Sequence, residues 1–205
     1  FTLDGKIYEQ NEIEFLVTDV CEAADQLILA KWIIRNLAYQ YGLDVTFSPK
    51  ITTGKAGSGL HIHTCIVNAD GKNQYVTKGK LNSIAHTAIA GYMTCAGSLT
   101  AFGNTNPTSY FRLVPHQEAP TSICWGDRNR SVLVRVPLGW THKNDIVAEL
   151  NPLEKPVKKD RSQKQTVEFR CPDGSADIYL LLAGLVVAAR HGFEMEGALE
   201  FAKKT

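Results

Sequence analysis

The feature of the sequence that most limits its fold is an unbroken apolar run over residues 178–189. A helix that crosses a bilayer needs about 20 apolar residues, and this run has only twelve. It therefore predicts a helix buried in a globular domain rather than a membrane span. The net charge of +1 gives no bulk attraction to nucleic acid or to an anionic membrane, so neither partner is expected.

The remaining elements mix helices and strands without the regular alternation of a Rossmann sheet. Apolar residues at steps of three and four predict a helix from Thr18 or Asp19 to about Tyr41, with Gly42 placed to end it. A second helix is predicted over residues 81–99. Strands are predicted over residues 45–47, 60–67, 122–125, 132–136 and 167–171.

The five cysteines are odd in number, and none of them forms a CxxC pair. This usage is typical of reduced thiols rather than of a disulfide framework or a zinc site. No basic segment followed by an apolar stretch opens the chain, so no signal peptide is expected. We therefore expect a cytoplasmic protein.

His61 and His63 lie two residues apart in a predicted strand, so their side chains share one face of the sheet. Two imidazoles there can bind a metal, a phosphate or a carboxylate, or they can form no more than a polar surface. The glycine-rich segment 54–59 lacks the spacing of a phosphate-binding P-loop and leads into a strand rather than a helix. We interpret it as a turn that lets the backbone approach another group.

Arginines are concentrated in one part of the chain, where surface ion pairing would be their ordinary role. Arg135 lies in an apolar strand. Burying an unpaired guanidinium there would cost much free energy, so Arg135 requires an anionic partner. Glu168 and Arg170 share one face of another strand. Carboxylates hold hard cations and arginines hold phosphates, so the set favours a Mg²⁺-assisted, ATP-using site. The other arginines of the group are Arg112, Arg128 and Arg130.

Four segments combine these residues in distinctive motifs. They are GSGLHIH at 57–63, RLVPHQEAP at 112–120, NRSVLVRVP at 129–137 and EFRCPDGSAD at 168–177. In sequence and in order they resemble motifs of the glutamine synthetase family, and the resemblance extends from about residue 10 to residue 193. It implies an α+β fold, with a curved antiparallel sheet flanked by helices.

The resemblance also implies that residues 1–205 form a single, partial catalytic domain. The family's N-terminal β-grasp domain, its ExE strand and its C-terminal tail have no counterpart in this sequence. Extra residues between Arg135 and Glu168 predict an exposed insertion over 138–165. Since the ExE carboxylates contribute to both metal sites in the family, the isolated chain is expected to lack activity.

Several site residues follow from the resemblance alone. Mg²⁺ or Mn²⁺ would be bound by Glu12, His61 and Glu168, with Asp4 as a further candidate ligand. Glu118, on the loop that closes the site, would take a proton from ammonium and act as a catalytic residue together with Arg130. The substrate-binding residues would be Gly57, His63, Arg112 and Arg170, and the phosphates of ATP would contact His63, Arg130 and Arg135.

The implied reaction is ATP-dependent ligation of glutamate and ammonia through γ-glutamyl phosphate, in a full-length protein that forms a homo-oligomer. The sequence departs from the family motifs at three places: Ala56 replaces a glutamate-contacting asparagine, Asp4 stands near the place of a metal-binding glutamate, and the pair His116-Gln117 replaces a glycine and an aromatic residue. These departures leave open a γ-glutamyl ligase for another amine. A non-catalytic relative is the third alternative, although retention of the charged site residues counts against it.

Overall fold

The computed structural model describes residues 1–137, 150, 151, 153, 155 and 164–204, and within them the α+β class is confirmed. The helices are α1 (Val20–Gln40), α2 (Ser83–Thr94), α3 (Ala96–Gly103), α4 (Ile178–Glu194) and α5 (Ala198–Lys204), with a 3₁₀-helix at Pro107–Phe111. The strands are β1 (Thr2–Leu3), β2 (Lys6–Ile7), β3 (Ile62–Thr64), β4 (Val76–Thr77), β5 (Lys80–Leu81), β6 (Ser122–Asp127), β7 (Val132–Val136) and β8 (Val167–Phe169).

Helix α1 begins and ends where the sequence predicts. The carboxylate of Asp19 accepts hydrogen bonds from the backbone N–H groups of Cys21 and Glu22, each at 3.0 Å, and caps the helix. Gly42 follows the C-terminal end with a φ of 67°, the left-handed conformation that glycine adopts without steric cost. The helix predicted over 81–99 divides at Cys95 into α2 and α3. The sequence did not reveal this break, because a one-residue interruption leaves the apolar periodicity unchanged.

The core forms where α2 and α4 pack against each other and against the sheet. A Cβ on Gly91 of α2 would collide with the carbonyl oxygen of Ala188, and one on Gly192 of α4 would collide with that of Thr87. The two backbones therefore approach closely. The predicted apolar helix is present as α4 and is buried along one face: Leu181 and Leu185 are buried, whereas Val187 is exposed.

The main sheet has four strands in the order β3-β8-β7-β6. The β3–β8 and β8–β7 pairs are antiparallel, as predicted, but β6 pairs with β7 in parallel. After β6, the connection over residues 128–131 brings the chain back so that β7 runs in the same direction as β6. The sheet therefore contains both parallel and antiparallel pairs. The strand predicted over residues 45–47 is wrong, since these residues form no strand in the structure.

The register of the sheet separates a core face from a polar face. Phe169 lies opposite Ile62 on one side and Val134 on the other, and these residues face the helices. Glu168, the residue immediately before Phe169, lies opposite His63 and Arg135. Because side chains alternate along a strand, these charged residues occupy the face turned away from the core.

Two further expectations concern the predicted insertion and the apolar helix α4. The predicted insertion at 138–165 falls almost entirely outside the described residues, and Gln165 at its end is buried. Among the described helices, no single one has the length and apolar character to cross a membrane. The pair α4 and α5 passes that test together, by length and composition alone, with a bend of 108° between the helices.

Candidate active site

Glu168 is the centre of the charged cluster on the polar face. Its side chain is fully buried, with an exposed fraction of 0%. Oε1 lies 2.9 Å from Nδ1 of His61 and accepts a hydrogen bond of 2.9 Å from Nη1 of Arg170. Oε2 accepts a hydrogen bond from Nε of Arg135. His61, Arg135 and Arg170 therefore meet at the Glu168 carboxylate on the polar face of the sheet.

These neighbours control the charge of the carboxylate. Burial alone would raise the pKa of Glu168, but the hydrogen bond from His61 and the charges of Arg170 and Arg135 lower it to about 2. Desolvation lowers the pKa of His63, an effect that the charge of Glu168 only partly offsets. The site thus holds an ionised carboxylate within a ring of cationic and imidazole groups at neutral pH.

Arg112 lies beneath the glycine-rich segment and is almost fully buried. Its guanidinium donates to the carbonyl oxygens of Cys171, at 2.8 Å, and Arg170, at 3.2 Å. A Cβ on Gly57 would meet Cγ of Arg112, and one on Gly59 would meet its guanidinium. This close approach explains why the segment requires glycine and confirms its interpretation as a turn packed against another group.

The loop that carries Glu118 is joined to the cluster through Arg170. Nη2 of Arg170 donates to the carbonyl oxygen of Glu118 at 2.9 Å, and Nη1 of Arg130 donates to the Glu118 carboxylate at 2.6 Å. Both side chains of the Glu118–Arg130 pair are largely exposed, at 73% and 63%. They line a cavity of about 330 Å³ together with Pro115, His116, Ala119, Thr121 and Ser131.

The residues present only partly fit a divalent metal. His61 and Glu168 supply an imidazole and a carboxylate side by side, but both carboxylate oxygens already accept hydrogen bonds from arginine. In the described part of the chain, no group of three or more His, Cys, Asp or Glu residues could hold a metal ion. Two donors are assembled here, and they do not make a metal site by themselves.

The predicted ligands Glu12 and Asp4 are both exposed on the surface and lie outside the ion-pair cluster around Glu168. The segment containing Glu12 does approach the site, since Nε2 of Gln10 donates to the carbonyl oxygen of Gly57 at 2.9 Å. Their role as metal ligands therefore stays a prediction.

Two contacts at the site escaped the sequence analysis. Nδ1 of His63 lies 3.0 Å from Oγ1 of Thr166, and Nζ of Lys50 donates to Oε1 of Gln117 at 3.0 Å. Both join residues far apart in the chain, where no local pattern signals them. Only the position of Thr166, two residues before Glu168 and so on the same face of the sheet, could have suggested the first contact.

Comparisons with known proteins show the family to which the chain belongs. A family model described as "Glutamine synthetase, catalytic domain" matches residues 7–202. The glutamine synthetase of Pyrococcus furiosus is 35% identical over 185 residues, covering 90% of this chain and 37% of that protein. The glutamine synthetase of Mycolicibacterium smegmatis is 36% identical over 202 residues, covering 95% of this chain and 38% of that protein.

A solved structure supports the same relationship. The cryo-EM structure of Plasmodium falciparum glutamine synthetase matches with a TM-score of 0.71 and 26% identity, over 86% of this chain and 31% of that chain. The chain belongs to the glutamine synthetase family. It spans a little over a third of the length of the curated relatives it matches.

Proposed function

We propose that the full-length protein is an ATP-dependent glutamate–ammonia ligase that works through γ-glutamyl phosphate. The observation that carries the proposal is the placement of the Glu118–Arg130 pair beside the buried Glu168 cluster, with Arg170 bonded to both. A carboxylate at a cavity is thereby joined to a dense group of guanidinium and imidazole side chains. Such a combination suits phosphoryl transfer followed by attack of an amine.

In the first step, a γ-carboxylate oxygen of glutamate attacks the terminal phosphorus of ATP, and ADP leaves. Negative charge on the transferred group is stabilised by Arg130 and Arg135, and His63 also contacts the phosphates. Arg170 is the proposed donor to a substrate carboxylate, and its buried Nε has no hydrogen-bond partner among the described residues. Arg112 and Gly57 complete the proposed glutamate subsite.

In the second step, ammonia attacks the acyl carbon of γ-glutamyl phosphate, and inorganic phosphate leaves. The carboxylate of Glu118 takes the proton that converts ammonium to ammonia. Its exposed position on a loop beside the cavity supports this role, since the group can reach an incoming amine.

Mg²⁺ or Mn²⁺ belongs to the proposal as a cofactor held by His61, Glu168 and Glu12, with Asp4 as a further candidate. Bound there, the cation would neutralise phosphate charge. We also propose that the protein acts in the cytoplasm as a homo-oligomer, as its family membership implies.

A second candidate is a γ-glutamyl ligase for another amine. The observation behind it is that His116, at a position where the family motif has glycine, lines the cavity beside Glu118 and so changes the surface that an amine would meet. A panel of amines supplied to the same enzyme separates the two candidates.

The test is production of ADP and phosphate by the purified full-length protein. We expect turnover that requires both glutamate and an amine, with the amide identified by mass spectrometry. ATP hydrolysis that is indifferent to both, or no hydrolysis at all, would contradict the proposal. The isolated 205-residue chain serves as the control and is expected to be inactive.

A further inference from the structure

A buried lysine contacts the Glu118 loop at the residue next to the one that Arg170 contacts. Lys50 follows Pro49 and is only 6% exposed. Its Nζ donates to the carbonyl oxygen of Lys55 and, at 3.0 Å, to Oε1 of Gln117. One ammonium group thus joins the segment 51–55 to the residue immediately before Glu118.

The surroundings of this ammonium make the contact stronger than an ordinary surface hydrogen bond. Within the described residues, no carboxylate forms an ion pair with Lys50. Desolvation lowers its pKa, and the nearby charge of Arg112 lowers it further. A cation so placed depends on the two oxygens it meets, and loss of one would leave a buried donor unsatisfied.

The loop itself needs such support. His116 has a φ of 62° and Glu118 a φ of 53°, both in the left-handed region that L-residues rarely adopt. Contacts from outside the loop must therefore hold its conformation. Arg170 fixes the carbonyl of Glu118, whereas the Arg130 pair is exposed and so contributes little rigidity.

We propose that Lys50 is a positioning residue that acts through Gln117 to hold the Glu118 carboxylate at the cavity. The same contact couples the Glu118 loop to the segment 51–55, which leads into the glycines packed on Arg112. The inference rests on the proposed function, because it assumes that Glu118 acts on the amine.

The first measurement is hydrogen–deuterium exchange on the full-length protein, followed in peptides covering residues 51–57 and 113–121. Gln117→Leu removes the acceptor at a half-buried position and is expected to raise exchange in both peptides by about tenfold. Gln117→Glu keeps an acceptor and should leave exchange within about twofold of the parent protein. Gln74→Leu, at another half-buried glutamine on a turn, is the matched control and should change neither peptide.

The second measurement is steady-state kinetics on the same preparations. Gln117→Leu is expected to lower kcat for amide formation by about tenfold with KM for ATP unchanged. Gln117→Glu is expected to keep kcat close to that of the parent protein. Unchanged exchange in Gln117→Leu overturns the contact, and faster exchange without a fall in kcat overturns the positioning role. If the parent protein makes no amide while exchange still responds, the proposed function fails and the contact between the two loops stands.

Discussion

Glu168 and Arg170 lie two residues apart on the segment that begins as β8, and Nη1 of the arginine is 2.9 Å from Oε1 of the glutamate. The same arginine reaches the carbonyl oxygen of Glu118 through Nη2. One guanidinium therefore connects the buried carboxylate to the loop at the cavity. The proposed metal ion would have to compete with these hydrogen bonds for Glu168, so its binding would be linked to the position of the loop.

The Glu168→Gln substitution is expected to destabilise the chain by about 3–5 kcal/mol, because it leaves buried guanidinium charge without its counter-ion. Urea unfolding followed by circular dichroism measures the change. Glu194→Gln, which breaks the exposed Arg190–Glu194 pair on α4, is the matched control and should cost less than about 1 kcal/mol. An equal loss of unfolding free energy in the two variants would show that Glu168 does not form the buried contacts with Arg135 and Arg170.

Stability should fall in acid because of the same carboxylate. The pKa of Glu168 is about 2 in the folded chain against an ordinary 4.5, so the unfolded chain binds its proton first as pH falls. The contribution of Glu168 is therefore complete above pH 4.5 and is lost as the pH falls toward 2. The difference in unfolding free energy between the parent and Glu168→Gln should be constant above about pH 5 and should narrow below it. A difference that stays constant down to about pH 3 contradicts the lowered pKa.

Two helical glycines are expected to respond differently to alanine, because only one of them lies where α2 and α4 approach closely. Gly91→Ala places a methyl group against the carbonyl of Ala188 and should destabilise the chain by about 1–3 kcal/mol. Gly97→Ala lies in α3 with nothing within 4 Å of the new Cβ, and it should be neutral or stabilising by up to about 1 kcal/mol. Thermal unfolding of both variants provides the test. A neutral Gly91→Ala would mean that the helices are farther apart than the structure shows.

In the full-length protein, Glu118→Ala should lower the rate of amide formation by about 10²–10⁴ while ATP affinity is unchanged, because a carboxylate does not attract phosphates. Arg130→Ala should instead slow phosphoryl transfer itself. Both side chains are exposed, so neither variant should unfold the protein. Turnover and ATP binding are measured in parallel for both variants. Weakened nucleotide binding with intact turnover in Glu118→Ala would rule out its role as the base.

The convergence of charged side chains on one face of the sheet could be predicted from strand periodicity, whereas the roles that the family motifs assign to them stay predictions. His61, Arg135, Glu168 and Arg170 converge because each occupies an alternate position on or beside neighbouring strands, and alternation is visible in the sequence. The contact of Lys50 with Gln117 was not predictable, since it depends on how two loops fold toward each other.

The parallel pairing of β6 was missed for a different reason. The segments over residues 122–125 and 132–136 have the composition of strands, but composition carries no information about direction. The polar turn between them is typical of a hairpin, which would have made the pair antiparallel.

The alternation along β8 has a consequence for how the chain finds its fold. A slip of one residue against β3 and β7 would turn Glu168 toward the helices and Phe169 toward the charged side chains. Such a mispaired sheet would place an ion among hydrocarbon groups and expose an aromatic ring, so it is penalised on both faces at once. The polar residues proposed for chemistry thus also discriminate against incorrect strand alignments during folding.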